Sequence, residues 1–365
     1  MSSPTQAIDL TLDGLTQWSR ISEIDKRYWQ SFFELKPFDR SIIQSFEQYA
    51  HSYNYSLSDE DIARVVFCAT LEILKYNHDH HMTHVFFGNS GGLDSATTCA
   101  LLSKAIKLGQ EINRPFTVTS YGLPIDSNPD HNVRATRCAE IFGIRHLTIE
   151  SLDEVFSSFQ NVLKPLSKDA ALSEEQERRA LGNVKARLRM IVNFFGTAKP
   201  GSYVISTDNL SELYMAFWTL MGDVGAFGPI QHLLKGLELP SIAYALGVPE
   251  KTIQAKPTDG LGVHTSLDEH EGGDVDAFHG VPYPHLDAII CHAAASGLDL
   301  TKAKAVPVDA TKIRCPQATQ EVVDQLIAQM TSPSSVWKRT RGSIGTGISR
   351  EQLGLLPVLQ IAGRL

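Results

Sequence analysis

The chain has 365 residues, 42% of them hydrophobic and 20% charged, which is enough apolar material for one large domain or two smaller ones. Lysine plus arginine total 33 and aspartate plus glutamate total 41, giving a formal charge of −8 and a pI of about 5.9. This acidic balance argues against a protein that coats nucleic acid or binds anionic lipid. No apolar run reaches the roughly 18 residues of a membrane span. From the acidic charge and the absence of such a run, we expect neither a nucleic-acid nor a membrane partner.

The distribution of the cysteines indicates the cellular compartment of the protein. Five are scattered through the chain, without a Cys-x-x-Cys pair. This dispersal excludes zinc ribbons and is typical of reduced thiols inside a cell. The first ten residues also lack the basic and apolar regions of a signal peptide. The sequence therefore predicts a cytoplasmic protein.

Residues 1–57 form a predicted N-terminal helical arm that is rich in aromatic residues. Residues 1–55 hold ten of the thirty aromatic side chains, whereas a disordered tail would be depleted in them. We expect the arm to pack on the core or on a second subunit. After it, Ser58 and the acidic residues that follow predict the start of a helix, because carboxylates stabilise the positive end of the helix dipole.

Predicted strands and helices alternate from residue 84 onward. The strands are His84–Gly88, Phe116–Tyr121, His146–Ile149 and Tyr203–Ser206; the helices are Leu93–Leu108, Asn132–Phe142, Ser173 to about Phe195 and one from about Leu210. This order predicts an α/β fold with a doubly wound parallel sheet. The Gly-, Asp- and His-rich residues 256–279 predict a mobile loop, and helices follow at His285–Ser296 and Thr319–Met330. We expect a main domain over residues 58–341, with a C-terminal helical segment and a tail over 342–365.

The most informative motif lies between the first predicted strand and its helix. It runs Gly88, Asn89, Ser90, Gly91, Gly92, Leu93, Asp94, Ser95. Glycines let backbone N–H groups approach a phosphate, serine hydroxyls add donors, the helix start supplies a positive dipole end, and the aspartate can hold Mg²⁺. No Gly-Lys-Ser/Thr follows, so this is not a Walker loop. A plain glycine turn is the alternative structural interpretation.

The Ser-Gly-Gly-x-Asp-Ser core of this motif, at residues 90–95, resembles the pyrophosphate loop of ATP pyrophosphatases with the adenine nucleotide alpha-hydrolase-like fold. Four later segments narrow the resemblance: Gly182–Met190, Thr207–Glu212, Gly222–Ala226 and Lys256–Asp259. In this order and spacing they resemble the NAD synthetase family, over about Thr83 to Arg341. That family amidates nicotinic acid adenine dinucleotide through an acyl-adenylate, releasing AMP and pyrophosphate.

The resemblance implies roles for individual residues. It implies that Asp94, Glu212 and Lys235 are catalytic, that Asp94 and Glu212 hold Mg²⁺, and that ATP is bound by residues 88–95 with Thr207, Lys235 and Thr258. Substrate contacts would come from Arg187, Leu220, Asp223, Phe227 and Lys338. The resemblance further implies a homodimer. Free ammonia is the expected nitrogen donor, unless another polypeptide supplies it, because the residues before the loop are too few for a glutaminase domain.

Plain structural roles are open for several of these residues. Arg187 could be solvated, Asp208 could simply cap a helix, and Lys338 could be an ordinary surface lysine. Two positions also depart from the family: Leu220 stands where it has a lysine and Phe227 where it usually has an aspartate. Both changes fall on the substrate side, so we expect weaker discrimination between acceptors.

Three other functions stay open. The protein could be an NMN synthetase that amidates nicotinate mononucleotide. It could be another ATP-pyrophosphatase amidotransferase or a tRNA-modifying relative. A tRNA-modifying enzyme, however, would need a basic surface, and this chain is acidic. It could also be a nucleotide-binding protein that has lost catalysis, an alternative that Asp94 and Glu212 argue against.

Overall fold

A four-stranded parallel sheet forms the centre of the computed structural model, which describes residues 4–150, 152–258, 260–261, 273–342 and 344–365. The strands are β1 (His84–Gly88), β2 (Thr117–Gly122), β3 (Arg145–Thr148) and β4 (Ser202–Val204), in the spatial order β3-β2-β1-β4. A short parallel pair, β5 (Phe227–Gly228) and β6 (Thr346–Gly347), adjoins it through a bridge between Ile205 and Phe227. The α/β fold with a parallel sheet is confirmed.

Helices surround the sheet. In order they are α1 (Gly14–Ser19), α2 (Glu23–Phe32), α3 (Arg40–Gln44), α4 (Asp59–Asp79), α5 (Leu93–Glu111), α6 (Pro129–Ile141), α7 (Leu152–Asp169), α8 (Glu174–Gly196), α9 (Leu210–Met215), α10 (Leu239–Leu246), α11 (Glu250–Ile253), α12 (Asp274–Ala277), α13 (Tyr283–Ala295), α14 (Gln320–Thr331), α15 (Pro333–Arg341) and α16 (Val358–Ile361). Within the described ranges, no helix combines the length and apolar character needed to cross a lipid bilayer.

Alternating side chains of β1 separate the two faces of the sheet. Val85 and Phe87 are buried in the main hydrophobic core, which also contains residues of α4, α5 and α10. Phe86 points to the opposite face, where it stacks on Tyr121 of β2 and α8 packs over β1 and β4. A parallel sheet with helices on both faces is the doubly wound arrangement that the sequence predicts.

Several local predictions match the structure closely. The first strand is His84–Gly88 as expected, and α4 begins with a capping box in which Ser58 and Asp61 satisfy each other's backbone N–H groups. Helices α7 and α15 were not predicted. The expected loop over residues 256–279 is also partly wrong, because residues 274–277 form α12. Residues 259 and 262–272 of that stretch lie outside the described residues.

The N-terminal arm packs on the core of its own chain. The Trp29 ring lies edge-on to Phe67 of α4 at 4.9 Å between centroids, and Trp18 contacts the same ring at 5.3 Å. Helix α1 crosses α4 at Gly14, where a Cβ atom would lie 2.8 Å from the Cα of Cys68. This close approach requires glycine, and it fixes where the arm meets the domain.

A buried carboxylate joins the arm to the C-terminal residues. Glu238 is fully buried, accepts a hydrogen bond of 2.5 Å from the Tyr55 hydroxyl, and pairs through both oxygens with the Arg350 guanidinium at 2.7 and 2.8 Å. The Arg350 guanidinium holds the pKa of Glu238 below its ordinary value, although burial alone would raise it. The bidentate pair therefore stays ionised and ties three distant parts of the chain together.

Candidate active site

The site lies where the order of the strands reverses. After β1 the chain turns to one side to form β2, whereas β4 lies on the other side of β1. The connections that follow β1 and β4 therefore diverge and leave a crevice at the carboxyl ends of these strands. A cavity of about 630 Å³ opens there, and both connections line it.

The loop after β1 is shaped by one glycine that no other residue could replace without rearrangement. Gly91 has φ = +73°, and a Cβ atom on it would lie 2.1 Å from the carbonyl oxygen of His131 in α6. The loop is thus pressed against α6 in a left-handed conformation. The remaining residues of the loop are held open towards the cavity.

Side-chain hydrogen bonds stiffen this loop at the N-terminus of α5. The buried Asn89 accepts from the backbone N–H of Gly91 and from the Ser95 hydroxyl, both at 3.2 Å. The hydroxyls of Ser90 and Ser95 are 3.1 Å apart. Gly92 caps α5 without a side-chain hydrogen bond. Donors and the positive end of a 19-residue helix therefore face the same space, which suits an anion such as phosphate.

Lys235 is the centre of a buried cluster of charges. Its ammonium lies 3.0 Å from a carboxylate oxygen of Asp94, 3.2 Å from Glu212 and 3.5 Å from Asp274. It also sits 4.5 Å from the centre of the Tyr283 ring, and the Tyr283 hydroxyl donates to Asp274 at 2.8 Å. The three residues predicted to be catalytic thus lie in direct contact, beside the loop.

Burial and mutual charge control the protonation of this cluster. Burial raises the pKa of Glu212 well above its ordinary value, and the Lys235 ammonium opposes that shift. Burial alone would lower the pKa of Lys235, but the carboxylates of Asp94, Glu212 and Asp274 hold it well above its ordinary value. Three acids face one ammonium, so Lys235 keeps its charge while one acid readily accepts a proton.

The connection after β4 supplies the opposite wall. Asn209 caps α9 in a box with Glu212 and donates to Asp94 at 2.9 Å, which links the two walls directly. Asp208 accepts a hydrogen bond from the Ser206 hydroxyl at 2.5 Å, and burial raises the pKa of Asp208 to about 7. Thr207, between Ser206 and Asp208 in the sequence, lines the cavity.

The structure brings most of the predicted ATP-side residues together. The cavity is lined by Gly88, Asn89, Ser90, Gly92, Leu93, Asp94, Ser95, Thr207, Glu212, Lys235 and Thr258, and Asp223 also lines it. Gly91 shapes the loop from behind. Asp223 accepts from the backbone N–H of Thr219 at 2.5 Å, and burial raises the pKa of its carboxyl group.

The other predicted substrate contacts lie elsewhere. Among the described residues that line the cavity, Arg187, Leu220, Phe227 and Lys338 do not appear. Arg187 is exposed and donates to the carbonyl oxygen of Leu220 at 3.2 Å. Phe227 is buried in the core, where it stacks on Tyr76 at 4.6 Å. The substrate roles of these side chains stay predictions. The buried position of Phe227 does not support a contact between its side chain and the substrate.

Lys338 supports the cavity wall from behind. Its ammonium donates to the carbonyl oxygens of Ala216 and Trp218 and lies 4.6 Å from the centre of the Trp218 ring, which lines the cavity. Burial lowers the pKa of Lys338 to about 8. Its predicted contact with substrate would therefore have to act through this wall or after a rearrangement of the side chain.

Asp274, Arg189 and Tyr49 are among the lining residues that were not predicted. Asp274 belongs to a stretch whose Gly-rich composition predicts a loop, and Arg189, not Arg187, is the arginine of α8 that lines the cavity. Arg189 donates to the carbonyl oxygens of Leu123 and Gly260 at 3.1 and 3.3 Å. Tyr49 of the N-terminal arm also lines it. Two arginines separated by one residue on a helix point to different sides, so the spacing alone could not select between them.

The NAD synthase family matches this chain over residues 66–336, a range that includes the loop, Lys235 and all three carboxylates around it. The chain belongs to the NAD synthase family. It is accordingly an enzyme of the ligase class. Sequence relatives include the NH(3)-dependent NAD(+) synthetases of Thermoplasma volcanium, 33% identical over 204 residues (56% of this chain, 74% of the relative), and of Methanopyrus kandleri, 30% identical over 249 residues (68% and 78%).

Solved structures of this family share the fold. An NAD⁺ synthetase from Burkholderia pseudomallei superposes with a TM-score of 0.54 at 20% identity, covering 84% of this chain and 98% of that one. An NMN synthetase from Francisella tularensis gives a TM-score of 0.53 at 23% identity, covering 76% and 94%. At such identities the likeness concerns the fold alone, which the NAD⁺ synthetase and the NMN synthetase have in common.

Proposed function

We propose that this NAD synthase family member uses ATP to amidate nicotinic acid adenine dinucleotide with ammonia, forming NAD. The relatives with 30–33% identity carry the name NH(3)-dependent NAD(+) synthetase, which supports the dinucleotide product and the nitrogen donor. The observation that carries the proposal is the contact of Lys235 with Asp94 and Glu212 directly beside the Gly88–Ser95 loop. A cation and two acids beside a phosphate-type loop are suited to releasing pyrophosphate.

The lining of the cavity supports nucleotide binding. The loop N–H groups and the hydroxyls of Ser90 and Ser95 would bind the phosphate chain, while Thr207 and Thr258 would add donors from the facing walls. Lys235 would move from its own carboxylates to the phosphates when ATP enters. The dipole of α5 strengthens each of these contacts with an anion.

The carboxylates fit the Mg²⁺ that the resemblance implies. Asp94 and Glu212 each place an oxygen within 3.2 Å of the same Lys235 nitrogen, so their oxygens already converge on a cation. Oxygen is the ligand that Mg²⁺ prefers, and one or two carboxylates with substrate phosphates normally suffice. In the described ranges, no three or more His, Cys, Asp or Glu side chains are arranged so that they alone could hold a metal ion. When bound, the ion would neutralise charge on the departing pyrophosphate.

The proposed reaction requires no nucleophilic side chain. A carboxylate oxygen of the nicotinate attacks the α-phosphorus of ATP, the bond to the β-phosphate oxygen breaks, and pyrophosphate leaves with that electron pair. Ammonia then attacks the acyl carbon, AMP leaves with its oxygen, and the nitrogen releases one proton to give the amide. The protein positions the reactants and neutralises charge through Lys235 and the loop N–H groups.

An assay of products tests this proposal. Purified protein would receive ATP, Mg²⁺ and ammonium with either nicotinic acid adenine dinucleotide or nicotinate mononucleotide, and mass spectrometry would resolve the products. We expect NAD, AMP and pyrophosphate in equal amounts from the dinucleotide. Preferential amidation of the mononucleotide would replace the proposed acceptor, and hydrolysis of ATP without amide formation would contradict the proposal.

We also propose a homodimer in the cytoplasm. Helix α7 exposes Val155, Phe159, Val162 and Leu166 on one face, and the neighbouring α8 exposes Phe194 and Phe195, the latter 81% accessible. Exposed apolar patches of this kind are typical of subunit interfaces, and self-complementary contact with a second copy would bury this one. The five cysteines are free and buried, which suits a reducing compartment.

A further inference from the structure

The N-terminal arm contributes one side chain to the cavity. Tyr49 follows α3 in a tight turn, in which its N–H donates to the Phe46 carbonyl oxygen at 2.8 Å and the N–H of His51 donates to Gln44 at 2.7 Å. The residue is fully buried and yet lines the cavity that contains the loop and Lys235. The NAD synthase match begins at residue 66, so this side chain lies outside it.

The hydroxyl of Tyr49 has no hydrogen-bond partner among the described residues. Two nearby tyrosines of the arm differ in this respect: the Tyr53 hydroxyl bonds His285 at 2.8 Å, and that of Tyr55 donates to Glu238 at 2.5 Å. Burying a hydroxyl without a partner costs stability, so a folded protein normally satisfies it. An unpaired donor at the wall of a cavity therefore indicates a group that a bound molecule satisfies.

The charges around the Tyr49 phenol indicate what kind of molecule would satisfy its hydroxyl. Burial raises the pKa of Tyr49 above its ordinary value, the Lys235 ammonium opposes the shift, and the carboxylates of Asp94 and Asp274 add to it. The hydroxyl therefore stays protonated and can donate. Tyr49 and Lys235 line the same cavity and interact electrostatically, so an anionic oxygen that the ammonium attracts is the acceptor that suits this hydroxyl.

We propose that Tyr49 is a nucleotide-binding residue, whose hydroxyl donates a hydrogen bond to an oxygen of the ATP phosphate chain next to Lys235. This inference rests on the proposed function only for the identity of the nucleotide. It gives the arm a direct part in the site: α3 and the turn at Tyr49 position a donor that the matched family region does not supply. A hydrogen bond to a charged acceptor corresponds to roughly ten- to hundredfold in affinity.

The test compares two tyrosines with unpaired, buried hydroxyls. Tyr49→Phe removes only the oxygen and keeps the ring in place. Tyr203→Phe is the matched control, because the Tyr203 hydroxyl is also buried without a partner among the described residues but does not line the cavity. Titration calorimetry would measure the binding of ATP with Mg²⁺, in the absence of a nicotinate substrate, and of adenosine, which lacks phosphates. Thermal unfolding of the free proteins would accompany it.

We expect Tyr49→Phe to weaken ATP binding about ten- to hundredfold, to leave adenosine binding unchanged, and to keep or raise the unfolding temperature. Tyr203→Phe should bind both molecules like the wild type. Unchanged ATP binding by Tyr49→Phe, equal losses for ATP and adenosine, or the same loss in Tyr203→Phe would each overturn the proposal. If the Tyr49 variant behaves as expected but the wild type forms no NAD, only the proposed function fails.

Discussion

The ammonium of Lys235 lies 3.0 Å from the carboxylate of Asp94, although one residue follows β5 and the other opens α5. Each is held by its own wall of the cavity: Asp94 by the first turn of α5, and Lys235 by its backbone N–H, which donates to the Ser211 hydroxyl at 2.9 Å. Without a ligand the Lys235 ammonium is paired with the acids that surround it. Binding of a polyanion would exchange this internal pairing for contacts with the ligand.

The first prediction concerns the two carboxylates that contact Lys235. Asp94→Asn and Glu212→Gln should each lower the rate of pyrophosphate release by about a hundredfold or more, because both remove charge at the reacting phosphates. The unfolding temperature should change far less, since Asp274 remains beside Lys235. A coupled pyrophosphate assay and thermal unfolding would measure both effects.

Glu72→Gln is the control for that experiment. Glu72 is a buried carboxylate in α4 that accepts from the backbone N–H of Gly14 at 2.9 Å and does not line the cavity. Its loss should destabilise the arm and leave pyrophosphate release unchanged. Near-wild-type release by Asp94→Asn or Glu212→Gln would show that the altered carboxylate does not act on the phosphates.

The second prediction concerns the ammonium itself. Lys235→Met leaves three carboxylates together without a cation, which should cost about 3–5 kcal/mol of the free energy of unfolding. Mg²⁺ without ATP should then raise the unfolding temperature of the variant more than that of the wild type, because the vacated carboxylates attract it. Equal shifts in the two proteins would contradict the view that Lys235 and a divalent cation compete for these oxygens.

The sequence predicts the part of the site that is local along the chain. The strand, the glycine loop and Asp94 follow one another, so their arrangement is dictated by short-range geometry. Asp274 and Tyr49 reach the same cavity only through the packing of α12 and of the arm, which no spacing in the sequence encodes. Phe227 illustrates the reverse case: its place in a motif predicts a substrate contact, but pairing of β5 beside Ile205 directs its ring onto Tyr76.

The third prediction concerns the dependence of stability on pH. Burial raises the pKa of Asp208 from 3.8 to about 7, so between these values the folded state binds a proton that the unfolded state has lost. This carboxyl group therefore lowers stability progressively as the pH rises from about 4 to 7, and the penalty stays constant above 7. Its full size is on the order of 4 kcal/mol.

Asp208→Asn removes that penalty, and the Ser206 hydroxyl can still donate to the amide oxygen. Urea unfolding at several pH values should show a variant that gains stability over the wild type as the pH rises to 7, with a plateau beyond it. Asp324→Asn, at an exposed position of α14, should show no such gain. A gain for Asp208→Asn that is the same at pH 4 and pH 8 would refute the assignment.

The fourth prediction separates backbone strain from a steric clash in the loop. Gly91→Ala and Gly143→Ala both place a Cβ atom on a residue with positive φ, at +73° and +64°. Each should lose about 1 kcal/mol or more of stability from strain. Only Gly91→Ala also meets a backbone atom, at 2.1 Å, whereas nothing lies within 4 Å of the Cβ at residue 143.

Gly91→Ala should therefore displace the loop and abolish measurable ATP binding, while Gly143→Ala should bind ATP like the wild type. Calorimetric titration with ATP and thermal unfolding would compare the pair. If both variants bind ATP equally well, the loop does not need its packing against α6 to hold the phosphates.

The fifth prediction concerns assembly through the apolar face of α7 and α8. Val162 is 69% exposed at the middle of that face, so Val162→Glu would place a charge where a second copy is proposed to pack. A buried, unpaired carboxylate is unfavourable, so the variant should be a monomer by light scattering at micromolar concentrations, whereas the wild type should be a dimer. Leu359→Glu is the control, because Leu359 is 53% exposed on α16 and should leave the dimer intact. A wild type that is already monomeric, or a Val162 variant that stays dimeric, would mean that this face does not mediate self-association.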